Sequence, residues 1–211
     1  MASPDFSHIT GACRVLELEY GHFQSRQQHK AIDGRGEPIP WFTYPAIDYL
    51  DQLDLTGQAM LEWGSGSSSS FFARRVGRLF SVEHDPAWFA QVEALNLANQ
   101  EIVLAEPPAY AAAARAFGRS FDLILIDGVE REACAAVAPG LPNPRGFIIL
   151  DNSDRHPDIA EDFRNRDLIE IDFHGLGPIN NYTWTTSLFL TRDFSCRPIA
   201  RQPKVPIGGG Y

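Results

Sequence analysis

Between Gln58 and Asn152, five short apolar runs recur, separated by segments with helical signals. They are Ala59–Trp63, Leu79–Glu83, Ile102–Ala105, Phe121–Ile126 and Phe147–Leu150, each four to six residues long. None alternates strictly between apolar and polar, as expected of strands covered on both faces. Asp85-Pro86 marks a helix start, an N-cap acid followed by proline at the first position. Trp88, Val92 and Leu95 then share one helical face. This rhythm predicts an α/β, doubly wound fold with a mostly parallel sheet.

The flanks differ from this centre. Tyr44-Pro45 opens a helix with Ala46, Leu50 and Leu53 on one side, and Cys13 to Gln28 also reads as helical. Tyr110 to Phe117 is helical on propensity. Further on, the sequence predicts a helix around Asp158–Arg166, a strand at Leu168–Phe173 and a β-rich run from Thr183 to Thr191, the last two as an antiparallel pair. The chain is expected to divide into an N-terminal helical cap that borders the substrate (1–57), an α/β core (58–195) and a loose or docked tail (196–211).

Composition excludes several classes. With 44% apolar residues in 211, the chain can bury a single core. Three scattered cysteines, Cys13, Cys134 and Cys196, fit neither a disulfide framework nor a cysteine-based zinc site. Thiols in a reducing compartment and a cytoplasmic location are expected. No apolar run is long enough for a membrane span, and no secretory signal is expected from the first residues. A net charge of -9 disfavours bulk nucleic-acid binding. A small-molecule partner is expected, and a homo-oligomer stays open.

The stretch most informative about function is Met60-Leu-Glu-Trp-Gly-Ser-Gly-Ser-Ser-Ser-Ser70. An apolar strand ends near Glu62, Gly64 and Gly66 follow one residue apart, and a helix begins. Glycine lets the backbone turn sharply and approach a ligand, and ligands of open α/β sheets lie at this end of the strands. Ser65 and Ser68 lie in the same loop. Glu83 ends the next strand and can accept hydrogen bonds from both hydroxyls of a ribose. A dinucleotide fingerprint would place a third glycine where Ser69 stands. A carboxylate at Glu62 would repel a pyrophosphate but suits a sulfonium and an α-amino group, which favours S-adenosylmethionine over NAD.

Glu62-x-Gly64-x-Gly66 and Glu83 resemble the first two cofactor motifs of class I S-adenosylmethionine-dependent methyltransferases. The resemblance spans about Trp41 to Thr191. It implies a seven-stranded sheet with an antiparallel C-terminal strand and a Rossmann-like core. It also implies a cofactor site of Glu62, Gly64, Ser65, Gly66, Ser68, Glu83 and the adjoining His84. Glu106, just past the third strand, lies where that family contacts adenine, and a plain loop acid is the competing reading.

Asp127 and Asp151-Asn152 end the fourth and fifth strands, at the same sheet edge as the glycine loop. Two carboxylates and an amide form an oxygen-rich set suited to Mg²⁺ or Ca²⁺, which could lower the pKa of a substrate hydroxyl. The pattern resembles the metal-dependent O-methyltransferases of the catechol and caffeoyl-CoA type, with one departure: Glu130 stands where those enzymes carry a lysine. Asp127 and His156 are therefore the expected catalytic groups, with His84 and His174 competing as base. Trp41 and Tyr44, in a stiff Pro-flanked aromatic segment, either face the cofactor and substrate or pack in the core. His174, Asn181 and Tyr182 are expected on the substrate side. The expected function is methyl transfer to a small acceptor, preferably a hydroxyl. The alternatives are a non-catalytic cofactor-binding partner protein and an NAD-dependent oxidoreductase.

Overall fold

The computed structural model describes residues 9–209; the ends of the expected cap and tail, 1–8 and 210–211, lie outside the described residues. Seven strands form one sheet: β1 (Ala59–Trp63), β2 (Arg78–Glu83), β3 (Gln100–Leu104), β4 (Phe121–Ile126), β5 (Pro142–Asp151), β6 (Ile169–Gly175) and β7 (Trp184–Leu190). Their order is β3-β2-β1-β4-β5-β7-β6, with β1 to β5 mutually parallel and β7 antiparallel to both its neighbours. The expected doubly wound sheet is present, antiparallel strand included. β7 is buried at every residue and inserts between β5 and β6, whereas β6 is partly exposed and forms the sheet edge.

Side-chain alternation along the buried strands assigns residues to two faces. Met60, Leu123, Leu125, Phe147 and Ile149 pack with Leu50, Phe71 and Phe72 from α3 (Tyr44–Leu50) and α4 (Ser67–Ala73). Their neighbours Leu61, Ile124, Ile126, Ile148 and Leu150 pack on the opposite side. There they meet Tyr110 of α6 (Tyr110–Ala113), Cys134 of α7 (Arg131–Val137) and Phe163 of α8 (Pro157–Asn165). Unbroken apolar runs are what a sheet covered on both faces requires.

Two expectations change, and of the two readings of the tail the docked one holds. The helix expected over Cys13 to Gln28 is interrupted at Gly21, where φ is +77° and an added Cβ would lie 2.3 Å from the Asp33 carbonyl carbon. Close approach of that loop forces the glycine turn, leaving helical segments at Ile9–Glu19 and His22–Gln28. The helix after β2 does start as expected, Asp85 Oδ1 accepting from Ala87 N and Trp88 N at 2.8 and 2.9 Å, but it ends at Glu93. Val92 alone of the three expected face residues is buried; Trp88 and Leu95 are exposed. The tail beyond Cys196 lies along the end of α3, with Ile199 N donating to Gln52 O and Lys204 Nζ to Asp51 Oδ2, each at 2.9 Å. No described helix is long and apolar enough to cross a membrane.

The register positions the candidate site residues. Trp63 pairs with Val82 on one side and Ile126 on the other, and Ile126 pairs with Leu150. Gly64, Glu83, Asp127 and Asp151 therefore leave the sheet at one level. The strand order reverses between β1 and β4, which opens a crevice there.

Candidate active site

Gly64 makes the turn out of β1 with φ +89°, and its N–H donates to Val82 O at 3.0 Å. A Cβ there would sit 2.7 Å from Gly128 Cα, so only glycine lets the β1 and β4 loops pass each other. Beneath this turn, Glu62 is fully buried. Its carboxylate accepts from Ser68 Oγ at 3.2 Å, from Ser81 Oγ at 2.7 Å and from Ser69 Oγ. Ser69 Oγ in turn accepts from Gly66 N at 2.9 Å. The serine run is thus the donor set of a buried acid: without these hydroxyls the carboxylate would be desolvated and unpaired. Burial nonetheless pushes the Glu62 carboxyl up to about 7, against the three hydroxyls, with the Glu83 charge adding to the rise. Glu62 holds the loop from below and does not line the cleft.

Glu83, also buried, faces the loop from β2. Its Oε2 accepts from Ser65 N at 3.0 Å and Ser65 Oγ at 2.8 Å, and its Oε1 from His84 N and Asp85 N at 2.9 and 3.0 Å. Trp88 closes this corner from outside by donating Nε1 to Ser65 O at 2.6 Å. A cavity of about 410 Å³ opens over Gly64, Ser65, Glu83, His84, Trp88 and Asp127. A second, of about 220 Å³, continues over Gly66, Ser67, Ser68 and Trp41 and also reaches Asp127.

On the far side of Asp127 lies a third cavity of about 310 Å³, bordered by Trp41, Asp151, Asn152, Arg155, Tyr182 and Trp184, with Arg131 and Asn180 completing it. Asp127, Asp151 and Asn152 do come together, but around a guanidinium. Arg131 donates Nη2 to Asp127 Oδ1 at 2.9 Å and to Asp127 O at 3.1 Å, and Nε to Gly128 O at 3.1 Å. Its Nη1 reaches Asn152 Oδ1 at 3.2 Å and Asp151 O. Asp151 Oδ1 accepts from Thr186 Oγ1 at 2.6 Å and Trp184 Nε1 at 3.1 Å. Burial raises both acids; Arg131 opposes the rise at Asp127, and the Asp127 charge adds to it at Asp151.

A divalent ion needs several free oxygens in its first shell. Here a fixed cation already occupies the space between them, and among the described residues no group of three His, Cys, Asp or Glu could hold a metal. The residues do not fit the expected Mg²⁺ or Ca²⁺. The preference for a hydroxyl acceptor, which rested on that metal, loses its support.

Other expected residues lie elsewhere. His156 is outside the cleft, its Nδ1 3.0 Å from Glu132 Oε1. His174 is exposed on β6 and bonded to Thr185 Oγ1 at 2.7 Å. Asn181 is exposed, and its neighbour Asn180 takes the place in the cavity wall. Tyr44 is buried against Tyr20, ring centroids 4.5 Å apart, and its hydroxyl lies 3.3 Å from His22 Nδ1, so it packs in the core side of the cap. Glu106 sits in an exposed turn and lines none of the three cavities. His84, Trp41 and Tyr182 do line the cleft.

The sequence reading missed Trp88, Arg131, Arg155 and Trp184. Arg131 carried a local signal, since it stands four residues after Asp127, a spacing at which a helix start pairs side chains. The others are brought in by tertiary folding alone.

No protein-family model and no curated protein matches the sequence. Solved structures do match. A precorrin-6y C5,15-methyltransferase from Geobacter metallireducens superposes with a TM-score of 0.57 at 14% identity, over 79% of this chain and 96% of the other. Aeropyrum pernix fibrillarin, solved with bound S-adenosyl-L-methionine, gives 0.56 at 15% identity, over 69% and 72%. A putative methyltransferase from Streptococcus mutans, in complex with SAH, gives 0.51 at 10% identity, over 68% and 94%. At these identities the likeness shows the fold.

Proposed function

With the Rossmann-like methyltransferase fold as the premise, we propose that the chain transfers a methyl group from S-adenosylmethionine to a small acceptor. The observation that carries this reading is the buried Glu83, bonded to Ser65 of the Gly64-Ser65-Gly66 turn at the wall of an open cavity. In this reading, the two ribose hydroxyls bond the Glu83 carboxylate, and the Ser65 hydroxyl, the most easily moved of its four present donors, gives way. His84 flanks the base, and the amino-acid end rests over Gly64 and Gly66, where no Cβ intervenes. Buried Glu62 lies beneath that end and favours a cation there over a pyrophosphate.

When bound, S-adenosylmethionine supplies a methyl carbon already activated by sulfur; the acceptor's lone pair forms the new bond to carbon as the carbon–sulfur pair returns to sulfur. The protein's task is alignment and removal of one proton. Asp127 borders all three cavities and stands between the donor and acceptor spaces. Its Oδ1 is held by Arg131, and the other oxygen is the proton acceptor. Oxygen and nitrogen acceptors are both served by this carboxylate.

Thermal melting with added nucleosides tests the reading. S-adenosylhomocysteine at saturating concentration raises the melting temperature by several degrees, and NAD leaves it unchanged. Stabilisation by NAD in preference to S-adenosylhomocysteine would replace the proposal with the oxidoreductase alternative.

A further inference from the structure

The third cavity contains two arginines in different states. Arg131 has its guanidinium committed to Asp127, Gly128, Asp151 and Asn152. Arg155, in the turn that follows β5, borders the same cavity and, among the described residues, makes no ion pair or side-chain hydrogen bond; its guanidinium carbon lies 5.9 Å from the centroid of the Tyr182 ring. A guanidinium presents five N–H donors in a planar fork that matches a carboxylate. On a chain of net charge -9 an anion is repelled over most of the surface, so an uncommitted cation at a cavity mouth is a local exception.

The walls add a second constraint. Trp41 from the segment before α3, Tyr182 from the β6–β7 loop and Trp184 from β7 all border this space, and the Tyr182 and Trp184 rings are 5.9 Å apart. A volume of about 310 Å³ lies at the small end of ligand cavities, which run roughly from 300 to 1,000 Å³. Aromatic side chains in a small cleft offer faces for a flat ring.

We propose that the acceptor is a one-ring aromatic carboxylate whose ring lies among Trp41, Tyr182 and Trp184 and whose carboxylate is bound by Arg155. The nucleophilic group on the ring then points inward toward Asp127, away from the charged mouth. This rests on the methyl-transfer reading for its reaction but not for its binding chemistry, so the two are tested separately. Arg155 sets specificity: it touches the acceptor and takes no part in the bond exchange.

The test is titration of the protein, held with saturating S-adenosylhomocysteine, with 4-hydroxybenzoate and 4-aminobenzoate and with their uncharged amides, followed by ligand-observed NMR. At least one acid binds on the order of tenfold more tightly than its amide, a charge-assisted bidentate contact against a neutral one. Arg155→Ala abolishes that discrimination, Arg155→Lys restores part of it, and both leave the affinity for S-adenosylhomocysteine unchanged. Equal binding of acid and amide, absence of binding by either acid, or acid binding unaltered in Arg155→Ala overturns the proposal. Failure of S-adenosylhomocysteine to bind is a different result: it removes the methyl-transfer reading, while acid-over-amide selectivity in the same sample would leave the anion site standing.

Discussion

On the β1–β2 side of the cleft, two buried acids are satisfied by hydroxyls and main-chain N–H groups of β2 and of the segments that follow β1 and β2. Glu62 takes its hydroxyls from Ser68, Ser69 and Ser81, and Glu83 takes donors from Ser65, His84 and Asp85. On the β4–β5–β7 side, Asp127 and Asp151 are held by Arg131, Trp184 and Thr186, and the cavity beyond them draws its wall from Trp41, Arg155, Asn180 and Tyr182. In the first half, short hydroxyl side chains and main-chain N–H groups meet the charge. In the second, Arg131, four residues after Asp127, supplies a full cation between the two aspartates, and β7 adds Trp184 and Thr186, 33 and 35 positions away from Asp151. Burial raises Glu62 in the first half and Asp127 and Asp151 in the second; three hydroxyls oppose the rise at Glu62, and a guanidinium opposes it at the two aspartates.

The largest effect that sharpens this contrast comes from Arg131→Met. It leaves Asp127 and Asp151 facing each other without a cation, and breaking a buried pair in this way costs about 3–5 kcal/mol. Denaturant unfolding at neutral pH should show that loss. It should shrink in acid: without Arg131 the Asp127 pKa in the folded state rises further above its unfolded value, so the stability is present at low pH and lost as pH rises through the folded pKa. A loss below about 1 kcal/mol, as for a surface ion pair, would mean that the guanidinium does not hold the pair.

A smaller effect probes the other half. The Glu62 carboxyl stands at about 7 in the folded protein against 4.5 for the free group. The folded state therefore keeps a proton that the unfolded state has released. Its contribution to stability is full below the unfolded value and is lost as pH rises through the folded one, on the order of 2 kcal/mol between about pH 5 and 7. Glu62→Gln, which mimics the protonated form, should remove that part of the slope. A slope identical in the variant and the parent would show that the hydroxyls hold Glu62 ionised throughout.

The same division explains how much could be read from the sequence. The strands, their parallel order and the level at which Gly64, Glu83, Asp127 and Asp151 emerge follow from apolar run length and glycine placement, which are local signals. The glycine loop is legible for that reason, although the sequence sets Ser69 against a missing third glycine and Ser68 at the cofactor, and both donate to Glu62. The β4–β5–β7 half was not legible. Asp127, Asp151 and Asn152 read as a metal trio because their spacing says nothing of what lies between them. The spacing of Arg131 from Asp127 hints at their pair, but its reach to Asp151 and Asn152 appears only when β4 and β5 lie side by side. His156 and His174 failed as site residues because proximity in sequence to a strand end does not fix which way a ring turns. Of the two readings of Tyr44 the core one holds, and Trp88, expected on the apolar face of its helix, is exposed and clamps Ser65.

The central claim is that Glu83 grips a ribose across the loop, and isothermal titration with S-adenosylhomocysteine, comparing the parent protein with Glu83→Gln, tests it most directly. Saturable binding by the parent is predicted, weakened on the order of tenfold or more in the variant, since two hydrogen bonds to a charged acceptor become neutral ones at a cost of about 1 kcal/mol each. Heat absent from the parent, or equal affinity in the two proteins, would contradict the account.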